Sequence, residues 1–215
     1  MNLARLNAIV DVEVASRAGW TPLDLAAAYI NGGARFLQLR AKTLSGAAFL
    51  DLASRIAEIA HGAGAVLVVN DRADIARLAG ADGVHVGQDD LPPVSARALL
   101  GPRAVVGFST HTELQIDTAL EEPVTYVAVG PVFGTATKET GYVAVGLDRV
   151  RHAAAKVRLK AAPTIAGIVA IGGITLERAP DVIEAGATSV AVITDLLATG
   201  DPEARARAYL DRLRD

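Results

Sequence analysis

The chain has 215 residues, 51% hydrophobic and 21% charged, enough apolar material for a sizeable core and too much for a disordered or collagen-like polymer. Against 24 Asp and Glu stand 21 Lys and Arg, a formal charge of -3, so no global field draws in nucleic acid or an anionic membrane and an anionic ligand needs a local cluster of cations. The absence of cysteine excludes disulfides, a thiolate nucleophile and cysteine-ligated zinc or iron–sulfur clusters, and suits a reducing, cytoplasmic compartment.

Asp11 and Glu13 interrupt the N-terminus before a signal-peptide core can form, and the longest uncharged run, Ala161 to Leu176, has 16 residues and contains Pro163. No export signal or membrane span is expected. In chain order, Val- and Ile-rich runs predict strands at Leu6–Val10, Phe36–Leu39, Val66–Val69, Gly83–Val86, Val105–Phe108, Tyr126–Val129, Ile165–Ile171 and Ser189–Ile193. Amphipathic stretches such as Leu23–Ile30, Ala47–Ala60 and Leu114–Leu120 lie between them and predict crossover helices. A Gly-Ala pair recurs just before strands, at Gly33, Gly64, Gly80 and Gly186, which suits a left-handed helix end followed at once by extended chain. Eight strand–helix units of about 27 residues each predict a compact (β/α)8 TIM barrel with a parallel eight-stranded sheet, one domain over residues 1–215. A doubly wound open sheet is the alternative.

In a parallel barrel the site lies at the C-terminal strand ends, so polar residues that follow apolar runs are the informative ones. Strand two ends in Gln38-Leu39-Arg40-Ala41-Lys42, whose alternation sends two cations the same way, toward a polyanion or simply into solvent. Strand three ends in Asn70-Asp71 and strand four leads to Asp90; carboxylates at neighbouring strand ends suit Mg²⁺ held by one or two carboxylates plus phosphate oxygens, while a helix cap or a turn explains each one alone. His85, flanked by Val84 and Val86, reads as a hydrogen-bonded core histidine. Ser109 and His111 follow strand five, but no Gly-x-Ser-x-Gly elbow surrounds Ser109, which is better read as a hydrogen-bond donor than as a nucleophile. After strand six, Gly130 to Lys138 brings Thr135, Ala136, Thr137 and Lys138 into a loop whose backbone could approach an anion or could be an ordinary flexible loop. Gly172-Gly173 after strand seven and Ile193-Thr194 after strand eight suit the phosphate cup that barrels often build there. Two anion sites of different charge imply two phosphorylated small molecules.

The series Gln38-Leu39-Arg40-x-Lys42, Asn70-Asp71, Asp82-Gly83-x-His85-x-Gly87-Gln88-x-Asp90, Gly107-x-Ser109-x-His111, Gly130-Pro131-x-Phe133-x-Thr135-x-Thr137-Lys138 and Ala170-Ile171-Gly172-Gly173-Ile174 resembles the thiamine-phosphate synthase family over nearly the whole chain. The resemblance implies a transferase of thiamine biosynthesis that joins 4-amino-2-methyl-5-hydroxymethylpyrimidine diphosphate to 4-methyl-5-(2-phosphoethyl)thiazole with Mg²⁺. Carried over by position, it implies that Gln38, Leu39, Arg40, Ala41, Lys42, Asn70, Ser109 and Lys138 hold the pyrimidine diphosphate. Asp71 and Asp90 would hold the metal, and Thr135, Ala136, Thr137, Gly173, Ile193 and Thr194 the thiazole phosphate. Arg40, Lys42, Ser109 and Lys138 would be the catalytic set, acting on a dissociating diphosphate without a protein nucleophile. Thr194 stands where a serine is usual, and the segment Pro163 to Gly167 looks longer than the family's approach to strand seven. A thiazole tautomerase of the same superfamily would have a histidine at Pro131 and lack the full carboxylate pair; a sugar-phosphate isomerase would need an acid–base pair not found here; a non-catalytic phosphate-ligand sensor would show a further binding module. No nucleic-acid or membrane partner is expected, and a homo-oligomer is compatible with the sequence.

Overall fold

The computed structural model describes residues 3–134, 143–160 and 165–214. Its strands are β1 (Leu6–Asp11), β2 (Phe36–Arg40), β3 (Val66–Asn70), β4 (Gly83–Val86), β5 (Val105–Thr110), β6 (Tyr126–Val129), β7 (Gly167–Ile171) and β8 (Ser189–Val192). Each pairs in parallel with the next and β8 returns to β1, so the sheet closes as the (β/α)8 barrel and not as the open alternative. Closure leaves no strand edge to protect.

The apolar runs are apolar on both faces because both faces are buried. Ile9, Phe36, Val68, Val105 and Val169 fill the barrel interior. Their neighbours in sequence, among them Val10, Leu37, Val69, Val106 and Ile168, pack outward against helices through Leu25 of α2 (Pro22–Asn31), Ile56 of α3 (Gly46–Gly62) and Ile116 of α6 (Glu113–Ala119). Helix α1 (Val12–Arg17) precedes α2, and α4 (Ala73–Leu78), α5 (Pro93–Leu100), α7 (Gly146–Lys160), α8 (Ala179–Glu184) and α9 (Pro202–Arg212) complete the ring. The predicted helices Leu23–Ile30, Ala47–Ala60 and Leu114–Leu120 are therefore present with ends shifted by their caps. Ser45 caps α3, and Thr112 with Gln115 forms a capping box on α6. The four Gly-Ala joints behave as read: Gly33, Gly64, Gly80 and Gly186 have φ of +100°, +65°, +68° and +105°.

Six strand boundaries differ from the sequence reading. β1, β2, β3 and β5 run on into Asp11, Arg40, Asn70 and Thr110, because ladder pairing continues through the pairs Asp11↔Arg40, Asn70↔His85 and Thr110↔Val129 although the apolar pattern has stopped. Strand seven starts at Gly167, not Ile165; that glycine has φ of +148° and a Cβ there would overlap Thr188. Strand eight ends at Val192, because Ile193 (φ -114°, ψ -83°) turns the chain into the short 3₁₀ helix Thr194–Leu197. Among the described residues no helix is long and apolar enough to cross a membrane.

Candidate active site

Closure gathers the strand ends into one rim, and the first cluster there is electrostatic. Arg40 donates to Asp11 at 2.5 Å and lies 3.7 Å from Glu13, with Asp11 only 1% exposed. Asp11 also accepts from Val14 N–H, capping α1, so one buried carboxylate fixes both a helix start and the guanidinium. Glu13 accepts from the N–H groups of Lys42 and Thr43 at 3.2 Å and from the Thr43 hydroxyl at 2.8 Å, which pins the loop after β2. The Lys42 ammonium then pairs with Asp71.

Asp71 does not cap α4; the N-cap there is Arg72, without a side-chain cap. It sits at φ +65°, a left-handed conformation uncommon outside glycine, while its N–H donates to the His85 carbonyl at 2.7 Å. Its carboxyl is held above the usual range, first by burial and then by the facing Asp90 carboxylate, against the pull of Lys42. Asp90 in turn accepts from Gly87 N–H at 2.7 Å, so it also closes a turn, as the plainer reading has it. Among the described residues no group of three or more His, Cys, Asp or Glu could hold a metal. Two carboxylates pressed together nonetheless fit a hard cation that takes its remaining ligands from phosphate and water.

Beneath the rim, His85 is buried and bonded on both nitrogens, Nδ1 to the Tyr126 hydroxyl at 3.0 Å and Nε2 to Ser109 Oγ at 2.8 Å. Tyr126 reaches His85 because its ladder partner is Gly107, where any Cβ would overlap the tyrosine ring. Burial raises the Tyr126 phenol far above its ordinary range, with Gln38 hydrogen-bonded to it and opposing the shift. Gln38 is buried in the interior with an amide oxygen that has no partner among the described residues. Asn70 is buried nearby on β3, whereas Leu39 and Ala41 belong to the outer core, so only their backbone can serve a ligand. His111 bonds the Gly130 carbonyl through Nδ1 at 2.6 Å, next to the cis Gly130–Pro131 bond.

Between the ends of β7 and β8 lies a cavity of about 510 Å³ lined by Gly172, Gly173, Ile193, Thr194 and Asp195 among others. Gly172 (φ +102°) and Gly173 (φ +62°) leave no room for a Cβ, which at Gly173 would come within 2.5 Å of the Gly134 carbonyl. One oxygen of Asp195 accepts from Leu176 N–H at 3.1 Å, Arg205 at 2.8 Å and the Tyr209 hydroxyl at 2.6 Å, tying the loop after β7 to the 3₁₀ helix and α9. Thr135, Ala136, Thr137 and Lys138, together with Pro163 and Thr164, lie outside the described residues.

The structure thus brings Gln38, Arg40, Lys42, Asn70, Asp71, Asp90 and Ser109 to one side of the rim, and Gly173, Ile193 and Thr194 to another. Sequence reasoning passed over Asp11, Glu13, Tyr126 and Asp195. Asp11 directly follows an apolar run, the signal used at the other strands, and Glu13 lies two residues on; Tyr126 carries no sequence signal, because its role depends on a glycine in the neighbouring strand.

Residues 6–196 match the family model described as thiamine monophosphate synthase. A thiamine-phosphate synthase of Koribacter versatilis is 43% identical over 215 residues, covering 99% of this chain and 97% of its own. The thiamine biosynthesis bifunctional protein ThiM/ThiE of Symbiobacterium thermophilum is 43% identical over 197 residues; the match takes in 92% of this chain, which spans 40% of that longer protein. The solved thiamine phosphate pyrophosphorylase of Pyrococcus furiosus has a TM-score of 0.84 at 24% identity, covering 97% of this chain and 94% of that one, a likeness of fold.

Proposed function

The chain belongs to the thiamine monophosphate synthase family, and on that premise we propose that it is a transferase joining 4-amino-2-methyl-5-hydroxymethylpyrimidine diphosphate to 4-methyl-5-(2-phosphoethyl)thiazole, giving thiamine phosphate and diphosphate. The observation that carries the reading is Asp71, held at φ +65° with its carboxyl against that of Asp90 and beside Lys42. A backbone strained to aim one carboxylate at another serves a cation better than it serves the fold.

In this reading Asp71 and Asp90 hold Mg²⁺, which when bound would supply positive charge to the diphosphate leaving group. Arg40, Lys42 and Lys138 bind the diphosphate oxygens and stabilise the charge that grows on them as the carbon–oxygen bond breaks. The unpartnered amide oxygen of buried Gln38 suits an amino group on the pyrimidine ring, and Asn70 and Ser109 line the approach. Ser109 donates to the pyrimidine substrate while His85, anchored through Tyr126, fixes its hydroxyl. The electron-rich aminopyrimidine stabilises the cation left at its methylene carbon, and the thiazole nitrogen attacks that carbon. The cavity at Gly173, Ile193 and Thr194, with Thr135, Ala136 and Thr137 from the loop after β6, holds the thiazole phosphate and so sets the nitrogen's aim. The chain works as a single barrel domain, and both substrates are small phosphorylated molecules.

Incubation of the purified protein with both substrates and Mg²⁺ tests the proposal. Formation of thiamine phosphate with release of one equivalent of diphosphate is expected; thiazole isomerisation without condensation, or binding without turnover, would replace it with the tautomerase or the sensor reading.

A further inference from the structure

The cavity between β7 and β8 is lined, among the described residues, by two charged side chains, Arg178 and Asp195. Asp195 is already neutralised: Arg205 reaches its carboxylate at 2.8 Å and the Tyr209 hydroxyl at 2.6 Å. Arg178 is not in any ion pair within 4 Å among the described residues. One of its guanidinium nitrogens donates to the Gly173 carbonyl at 3.2 Å, and its Cζ lies over the Phe133 ring, 4.8 Å from the centroid. The adjacent Glu177 points to solvent and lies 3.8 Å from Arg205. Arg178 is therefore pre-set at the cavity mouth by a stacked ring and a backbone carbonyl, with most of its fork of N–H donors unspent.

Resting on the thiazole-phosphate reading above, we propose that Arg178 is the specificity-determining residue of this cavity, selecting a phosphorylated thiazole over the free alcohol. Among the described residues the remaining lining is glycine, aliphatic side chains and the hydroxyls of Thr175 and Thr194. Such a cup can shape itself to a phosphate but cannot balance a dianion, and the field from Asp195 is cancelled locally by Arg205. A guanidinium supplies both the charge and a planar pair of donors that matches two phosphate oxygens. A site that depends on such a contact rejects an analogue lacking the phosphate, because its polar groups are then left unpaired.

The test compares wild type with Arg178→Gln and Arg178→Lys. Binding of inorganic phosphate and of the thiazole phosphate is measured by calorimetry, and steady-state kinetics are measured with the thiazole phosphate and with the unphosphorylated thiazole alcohol. Arg178→Gln should weaken phosphate-bearing ligands on the order of 10- to 100-fold. The KM for the alcohol, the KM for the pyrimidine diphosphate and kcat should change little, and Arg178→Lys should recover part of the loss. Unchanged thiazole-phosphate affinity in Arg178→Gln, or an equal loss for phosphate and alcohol, would overturn the assignment, the latter making Arg178 a mere prop for Phe133. A wild type that binds phosphate through Arg178 but makes no thiamine phosphate would overturn the functional reading and leave this one standing. A wild type that does neither would overturn both.

Discussion

At the scale of single residues, Asp71 is where stability and function pull apart. A carboxyl whose pKa is raised in the folded protein stabilises the fold below its unfolded value of 3.8 and loses that contribution as pH rises through the raised value. Asp71→Asn should therefore raise the melting temperature of the metal-free protein at neutral pH, since Asn tolerates φ of +65° and removes the repulsion with Asp90. It should also lower turnover, on the order of 10²-fold or more. Mg²⁺ should raise the wild-type midpoint, less as pH falls through the raised pKa, and should not move that of the variant. Thermal melts with and without Mg²⁺ across pH check this, and an equal Mg²⁺ response in both proteins would remove Asp71 from the metal site. Arg40 behaves differently, because its partner Asp11 is almost fully buried. Arg40→Ala should cost on the order of 3–5 kcal/mol by leaving that carboxylate unpaired, and adding Asp11→Asn should recover much of it. Denaturant melts of the two single variants and the double variant measure the coupling; simple additivity would show that the pair is not a unit.

At the scale of elements, the phosphate cup depends on how its loops are joined. Tyr209 on α9 donates to Asp195 at 2.6 Å and its hydroxyl oxygen lies 3.3 Å from the Ile174 carbonyl, so a helix remote from the chemistry holds the loop after β7. Tyr209→Phe should destabilise by about 1–3 kcal/mol and raise the KM for the thiazole phosphate without altering that for the pyrimidine diphosphate. Kinetics with each substrate varied in turn decide it; a shift confined to the pyrimidine would mean that the two anion sites are assigned the wrong way round. The β5–β6 pair carries a similar dependence, since Gly107→Ala would push Tyr126 off its strand partner and break the hydrogen bonds through His85 to Ser109.

At the scale of the whole molecule, the two ends of the barrel divide the work. The C-terminal rim carries the charged site, while at the opposite end Arg97 of α5 donates to the carbonyls of Pro123, Pro102 and Ala104 and to Thr125 Oγ1, tying together the segments that lead into β5 and β6. Burial lowers the Arg97 pKa, yet none of its partners is charged, so its role is to satisfy backbone. Arg97→Ala should cost about 2–4 kcal/mol through those lost bonds, a fall in melting temperature of roughly 2–4 °C per kcal/mol for a chain of this size. Both KM values should stay unchanged. Calorimetry alongside steady-state kinetics tests the division, and a kinetic defect in the folded variant would break it.

The barrel was legible because its causes are local: apolar runs of strand length, amphipathic stretches between them, and Gly-Ala joints at which glycine alone takes positive φ without strain. Polar residues at strand ends were legible for the same reason, so Gln38, Arg40, Asp71, Asp90 and Gly173 could be named from position alone. Which of them meet was legible only for Asp71 and Asp90, as carboxylates at neighbouring strand ends; the backbone that brings those two together, and the remaining contacts, could not be read this way. Asp71 reaches Asp90 because β3 and β4 are neighbours and the backbone takes φ of +65°; Tyr126 reaches His85 because Gly107 vacates the space between them; Asp11 and Glu13 become partners of Arg40, Lys42 and Thr43 through the register of β1 on β2. Sequence sets what each residue can do over a few neighbours, where backbone geometry and hydrophobic period act. Charge pairing and close approach between strands depend on closure of the sheet, a property of all eight strands together.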